Sequence, residues 1–465
     1  MSQNGDPQVN PINQNTVMQQ HSISQQGGGN PAQEKNEKNE KNEKNDKKIF
    51  NFRFPYQDSW DVSQDHLTFE LKNVDLAFVN SLERIILSNI PSVGFNVRPI
   101  ETSQLQIFKN NTPFENEFIS HRIGLIPIHL NPDNFDPAEY SFVIHKENSS
   151  KNYLLVSSED IEVIKLTDNQ KLPKEQVRKI FPPDPLTGGF IPITKIIPWE
   201  DKTLDKPAFH CEGRAMISTS LSNASFSQVS AVAHSFKIDP EHYERKFKEY
   251  VKDQIDEHAR INNILKDTDP TYEEETFQKT EEEMKKKFDL LEAERCFYQN
   301  DDEDPYWFNM LVESIGIHSP IALVEKGLQI MISKVAHFKE LLENPVDNQL
   351  EISNGYNSMD KAYVIRVYNE NETLGNLISA HIRKFYLDEN PQLTAVGFNK
   401  THPLDKSVMI YINPKREVGR DWGTIRELIF DTCSRIIEQA KELITEIQTT
   451  HFYKATVSKK SKKTK

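Results

Sequence analysis

Leu67-Thr68-Phe69-Glu70-Leu71, then Asp75, then Asn80-Ser81-Leu82-Glu83-Arg84-Ile85-Ile86-Leu87 and Ile90-Pro91 form the stretch on which the fold turns. Residues 67–71 alternate apolar and polar, as a half-buried strand does. Asp75 is placed to cap a helix running from Leu76 to Ile90, which Pro91 ends. Phe78, Leu82, Ile85, Ile86 and Ile90 fall on one stripe of that helix. Asn80, Arg84 and Ser88, four apart, make a polar line beside it. A strand feeding a short amphipathic helix needs a second apolar layer to close on.

The chain supplies that layer and then repeats the order. A long helix carries Val324, Leu328, Met331, Val335, Phe338 and Leu342 at spacings of three and four, a near-heptad seam, and Pro345 ends it. Tyr363–Tyr368 then reads as a strand, and Thr373 as the cap of a helix bearing Leu374, Leu377, Ile378 and Ile382. Val408–Ile412 is a further strand. The last helix carries Ile425, Ile429, Cys433, Ile436, Ala440, Leu443 and Ile447. Soluble chains rarely leave seams of this length in water, so the two seams are expected to pair within the chain.

The fold class expected is therefore α+β, with two similar modules paired intramolecularly. The first spans 50–98 and 236–345 and includes a charged helical insertion at 240–304. It is interrupted by a β-rich domain at 99–235, where short apolar runs such as Tyr140–Ile144, Tyr153–Val156 and Phe190–Ile193 are punctuated by proline. Residues 346–360 read as a polar linker and 361–452 as the second module. Residues 1–49, rich in Gln, Asn and Gly and ending in Lys-Asn-Glu repeats, cannot bury enough apolar surface to order themselves. Residues 453–465 form a basic tail.

Composition narrows the chemistry. A net charge of -14 disfavours a surface that grips nucleic acid along its length. No apolar run is long enough to span a bilayer, and no basic flank followed by an apolar stretch marks a secretory signal. Cys211, Cys296 and Cys433 have no paired spacing, which fits a reducing compartment. No phosphate loop, nucleophile elbow or dinucleotide glycine motif occurs. Thr187-Gly188-Gly189 is a turn, Asp301–Asp304 a solvated turn, His402 a loop residue without a second ligand at usable spacing, and Cys433 a small hydrophobe on a buried stripe. Catalysis has no support.

Several blocks resemble a known family. Asn80–Leu87 with Ile90-Pro91 resembles the Asn-Ala-Leu-Arg-Arg-Ile-Leu-Leu signature of RNA polymerase alpha subunits. Glu117-Phe118-Ile119-Ser120-His121-Arg122-Ile123-Gly124-Leu125-Ile126-Pro127 is similar to a block of the third-largest subunit of eukaryotic RNA polymerase II and its archaeal equivalent. Asn223–Val229 and Val312–Gly316 resemble later blocks of that subunit. Glu372-Thr373-Leu374-Gly375-Asn376-Leu377, with Val396-Gly397-Phe398 and His402-Pro403-Leu404, is similar to its smaller partner.

The resemblance implies two alpha-like dimerisation modules fused as a covalent pseudo-heterodimer. Such a subunit is a non-catalytic assembly platform that binds the two largest polymerase subunits and small adaptor subunits. It meets DNA only through the complex and has no membrane partner. It implies partner contact through Asn80, Arg84 and Ser88, and an intramolecular interface at Leu82, Ile86, Leu328, Val335, Leu374, Leu377, Ile378, Ile429 and Ile436. Without it, Asn80 and Arg84 read equally as a local pair on a solvated helix face. His121-Arg122 could suggest a catalytic base beside an anion binder, but placed before Ile123–Pro127 they are read as securing the junction between the β-rich insert and the first module; Asn376 is read as satisfying a helix start in preference to facing a partner.

Three departures from the family pattern matter. Glu83 stands where the signature has arginine, and Glu372 where the small-subunit motif has histidine. Leu130–Lys151 contains no cysteine, so the thiolate zinc site of some relatives cannot form there, and no cofactor is expected. The fusion, the Asn/Lys-rich tail and these departures are read as those of a large DNA virus. The expected location is intracellular: a cytoplasmic viral factory or the virion in that case, otherwise the nucleus. A different class, a stand-alone interaction scaffold that kept the fold outside the polymerase, is the alternative reading.

Overall fold

The computed structural model describes residues 50–51, 65–99, 102–200, 203, 205–268, 280–356, 359–415 and 421–449. Both tails expected from the sequence, 1–49 and 453–465, lie outside them. The first module opens with β1 (Phe50–Asn51), β2 (His66–Lys72) and helix α1 (Leu76–Ser88). Leu67, Phe69 and Leu71 of β2 are buried, as their alternation required. Helix α1 stops before Pro91: Asn89 donates its backbone N–H to the Ile85 carbonyl at 2.9 Å. Asp75 occupies the N-cap position, yet its side chain makes no capping bond. Its carboxylate is drawn away by Lys384 of the other module, 2.8 Å off, and its backbone carbonyl serves the first turn instead.

Next come β3 (Pro91–Gly94), β4 (Leu105–Asn110), α2 (Asn116–Gly124), β5 (Tyr140–Glu147), β6 (Leu154–Ser157), β7 (Ile161–Lys165) and β8 (Gln170–Lys171). Then follow α3 (Lys174–Ile180), β9 (Pro192–Ile196), β10 (Ala208–Gly213), β11 (Met216–Thr219) and β12 (Val229–Phe236). The insert is built on a five-stranded sheet in the order β4-β10-β5-β7-β8. Its limits differ from 99–235. Strand β3 pairs with β11, and Val93, Phe95 and Val97 sit in the insert's own core, so the insert begins near Pro91. Strand β12 pairs with β13 (Trp307–Ser314) of the first module, so the insert ends before Val229. The reason is hydrophobic sidedness: Val229 and Val232 face the module's core, not the insert's.

Between β12 and β13 the charged segment forms α4 (Pro240–Thr268) and α5 (Thr280–Leu291). The rings of Tyr243 and Phe247 pack on Phe288, at 5.2 and 5.3 Å between centroids. A four-stranded sheet, β1-β2-β13-β12, completes the layer under α1. Helix α6 (Pro320–Glu343) follows, capped by Ser319, whose hydroxyl accepts from the Ala322 N–H.

The second module contains β14 (Leu350–Tyr356), β15 (Met359–Tyr368), α7 (Glu372–Arg383), β16 (Leu393–Asn399), β17 (Ser407–Pro414) and α8 (Trp422–Thr449). The stretch read as a linker, 346–360, is mostly sheet: β14 runs antiparallel along β15, from Leu350 opposite Val367 to Tyr356 opposite Met359. Its polar side chains face outward while Leu350 enters the core, an alternation that loop-like composition disguised. The connection proper is only residues 344–349. Helix α7 is capped by Asn371, whose side-chain oxygen accepts from the Thr373 N–H at 3.1 Å; Thr373 is already inside the helix.

One hydrophobic core serves both modules. Leu82, Ile86, Leu328, Val335, Leu374, Leu377, Ile378, Ile429 and Ile436 all belong to it, and none is more than 3% exposed. Two contacts fix the sense of α6 against α8: Glu325 meets Gln448, and Lys339 reaches the Ser434 hydroxyl at 3.0 Å. Moving up α6 therefore means moving down α8, so the helices are antiparallel. Gly327 lets α1 close on α6, because a Cβ there would lie 2.6 Å from Cγ1 of Ile86 and 3.3 Å from Cδ1 of Leu82. In an ordinary helix Gly→Ala stabilises by ~1 kcal/mol. Here overpacking should reverse the sign, and Gly327→Ala is expected to cost ~1–3 kcal/mol in denaturant unfolding.

Candidate subunit-docking face

The pairing of the modules decides which side chains are left outward on α1. Its apolar stripe is consumed by the core, with Ser81 donating to the Thr373 carbonyl of the other module at 3.4 Å. Asn80 and Arg84 are exposed, and neither side chain makes a hydrogen bond or ion pair with the described residues. The local Asn80–Arg84 pair that helix spacing allowed is not formed. Ser88 is less available: its hydroxyl donates to the Arg84 carbonyl at 2.6 Å and lies 2.9 Å from the Asn89 side-chain oxygen. The outward line is thus effectively Asn80 and Arg84.

Glu83 explains one departure from the family pattern. Its carboxylate turns inward and contacts Nδ1 of His234 on β12, with both side chains mostly buried. A side chain held this way ties α1 to its own sheet and is not available to an outside partner. Arg84, one residue on, remains the cation of that face.

Polar clamps rim the seam between the modules. Lys334 on α6 lies 2.8 and 2.9 Å from the two carboxylate oxygens of Glu370, just before α7. Asp75 holds Lys384, as described above. His381, on α7, is 2% exposed, and its Nδ1 donates to the Leu377 carbonyl at 2.8 Å. Sequence reading had assigned no role to Lys334, Glu370, His381, His234 or Gly327. Only Gly327 carried a legible signal, a glycine in the middle of an otherwise uninterrupted seam helix.

The remaining candidates resolve as follows. Arg122 does not secure the junction with the first module. Its guanidinium donates to the Pro192 carbonyl at 2.7 Å, bracing α2 against β9 inside the insert. His121 is half-buried, and its ring has no polar partner among the described residues. The junction itself carries Lys326, 3.9 Å from Asp133, and His129, whose pKa is lowered by burial against the opposing pull of Asp65. Asn371, not Asn376, satisfies the helix start. His402 lies in a loop, its Nδ1 accepting from the Leu404 N–H at 3.1 Å. Thr187-Gly188-Gly189 is a turn around the Asp184 carboxylate. Among the described residues, no group of three or more His, Cys, Asp or Glu is placed to hold a metal ion, and no helix is long and apolar enough to cross a membrane.

These features define a protein made of two dimerisation modules closed on each other, with a β-rich domain hung from the first. The pattern of the RNA polymerase Rpb3/Rpb11 dimerisation domain matches residues 68–335, more than half of the chain, and the protein belongs to that family. The matched domain is a dimerisation domain, a structural rather than a catalytic module. Similar proteins include subunit 3 of DNA-directed RNA polymerases II, IV and V from Arabidopsis thaliana, 34% identical over 76 residues, 16% of this chain and 22% of that one. Subunit RPAC1 of RNA polymerases I and III from Saccharomyces cerevisiae is 27% identical over 106 residues, 23% of this chain and 28% of the relative. RNA polymerase II subunit RPB3 of Schizosaccharomyces pombe is 24% identical over 301 residues, 62% of this chain and 88% of the relative. The chain thus matches about a quarter of the first two relatives and most of the third.

Two outcomes test the seam. Glu370→Gln should destabilise the chain by ~1–3 kcal/mol, because it leaves Lys334 largely buried without its partner, and a double-mutant cycle with Lys334→Met should return a coupling of ~0.5–3 kcal/mol. The thiols report on the core: burial pushes Cys211 and Cys433 up to about 12, and Cys296 upward as well. All three should resist iodoacetamide at pH 8 in the native chain and react at the rate of unfolding.

Proposed function

We propose that the chain is a non-catalytic assembly subunit of a DNA-directed RNA polymerase, a covalent pseudo-heterodimer that gathers the two largest subunits. The observation that carries this reading is the sidedness of α1. Its apolar stripe is spent on the core that both modules share, while the Asn80 and Arg84 side chains face outward with no partner among the described residues. The family match supports the first module directly. The second module rests on its own architecture: a sheet, a short amphipathic helix and a long seam helix, closed on the first module through one core.

In this role the protein needs no cofactor. Thiolate ligation of zinc has no cysteine donors at Leu130–Lys151. Its partners are the two largest subunits and small adaptor subunits, and DNA is met through the complex. It works where that polymerase assembles, in the nucleus or, for a viral enzyme, in a cytoplasmic factory or the virion.

Pull-down of the second-largest subunit by the full chain tests the surface. Arg84→Ala should lower retention by about tenfold or more, as truncation of an interface arginine commonly does, with unfolding stability unchanged within ~0.5 kcal/mol because the residue is exposed. Full retention by an Asn80→Ala/Arg84→Ala double variant would place the contact elsewhere.

A further inference from the structure

The contact between α1 and α7 contains a buried histidine that the assembly role does not use. His381 sits on α7 facing the start of α1. With Nδ1–H donated to the Leu377 carbonyl, the neutral ring carries its lone pair on Nε2. That nitrogen is buried without a hydrogen-bond partner among the described residues, 3.4 Å from Oδ2 of Asp75 across the module boundary. The other carboxylate oxygen of Asp75 is held by Lys384 at 2.8 Å. On α8, Arg435 pairs with Asp431 at 2.8 Å. Its guanidinium lies over the Phe385 ring, whose centroid is 6.0 Å from the imidazole.

We propose that His381 is an acid-sensitive latch between the two modules: the closed α1–α7 contact keeps it neutral, and acidification loosens that contact first. A charged imidazole here would be taken out of water, with only Asp75, already shared with Lys384, to compensate it. Burial accordingly lowers the pKa of His381, Asp75 pulling the other way and Lys384 adding to the depression. The sign follows. An opened latch binds a proton at the ordinary histidine value of about 6.5, whereas the closed one does so only at lower pH. The stabilisation is complete above about pH 6.5 and is lost as pH falls towards the depressed value.

The experiment is hydrogen exchange on the isolated full chain between pH 7.5 and 5, with opening constants corrected for intrinsic amide rates. Residues 76–88 and 372–383 are followed, and the insert sheet is the internal reference. Opening of the two helices should rise relative to the insert by up to about tenfold per pH unit below 6.5, the limit for one linked proton. His381→Gln should flatten that rise. Asp75→Asn, a substitution at a partly exposed site, should steepen or extend it by removing the carboxylate that favours the charged ring. Parallel profiles in the wild-type and Asp75→Asn chains would overturn the proposal. So would tighter closure on acidification, which would mean that His381 is protonated in place and bonds Asp75. None of these readouts depends on a polymerase partner, so a failure of the latch and a failure of the assembly reading are told apart.

Discussion

Two long helices, one from each module, lie antiparallel with their apolar edges against each other, and the rest of the molecule depends on that seam staying dry. The contacts Glu325–Gln448 and Lys339–Ser434 are separated by the same number of residues on both helices. At 1.5 Å per residue the matched stretch is ~20 Å long, about four turns. Neither edge could face water alone without exposing a continuous apolar strip. Each fully buried Leu, Ile or Val on it contributes ~1.5–3 kcal/mol. The short helices α1 and α7 close the ends of the same core, and Gly327 sets how near α1 can come.

Burial of one face determines what the opposite face is free to do. On α1 the inward positions are filled by large aliphatics, so the polar positions four residues apart are forced into solvent. Glu83 then separates from Arg84 by direction alone, one turned to His234 and the other outward. The outward polar face is therefore a by-product of the packing: an apolar side chain added at Asn80 or Arg84 would find nothing among the described residues to cover it, and a charge added at Leu82 or Ile86 would meet no water.

The period-3.6 and period-2 patterns made the repeated elements and the seam readable, because burial on one side leaves a periodic mark in the chain. Every interface residue expected from those patterns lies in the shared core. Boundaries set by pairing between distant strands left no such mark. Strand β12 belongs with β13 and not with the insert, and β14, polar along its outer side, reads as a linker until its partner β15 is known. Caps were misplaced for a related reason. Asp75 has the right residue type and position, but a lysine three hundred residues away competes for its carboxylate. The clamps Lys334–Glu370 and Asp75–His381–Lys384 are each built from residues unremarkable in sequence. Their chemistry exists only once the modules meet.

Having both modules in one chain changes the thermodynamics of that meeting. Separate subunits that share one core have no stability apart from their pairing, so their folded fraction falls on dilution. Here residues 344–349 join the end of α6 to the start of β14. Six residues span at most ~20 Å, and a connector that short holds the modules at an effective concentration of order mM. The tether also removes a choice, since neither module can exchange its neighbour for another without opening the core. A partner that needs both modules at once therefore meets a surface whose two parts are always present in equal number and fixed geometry.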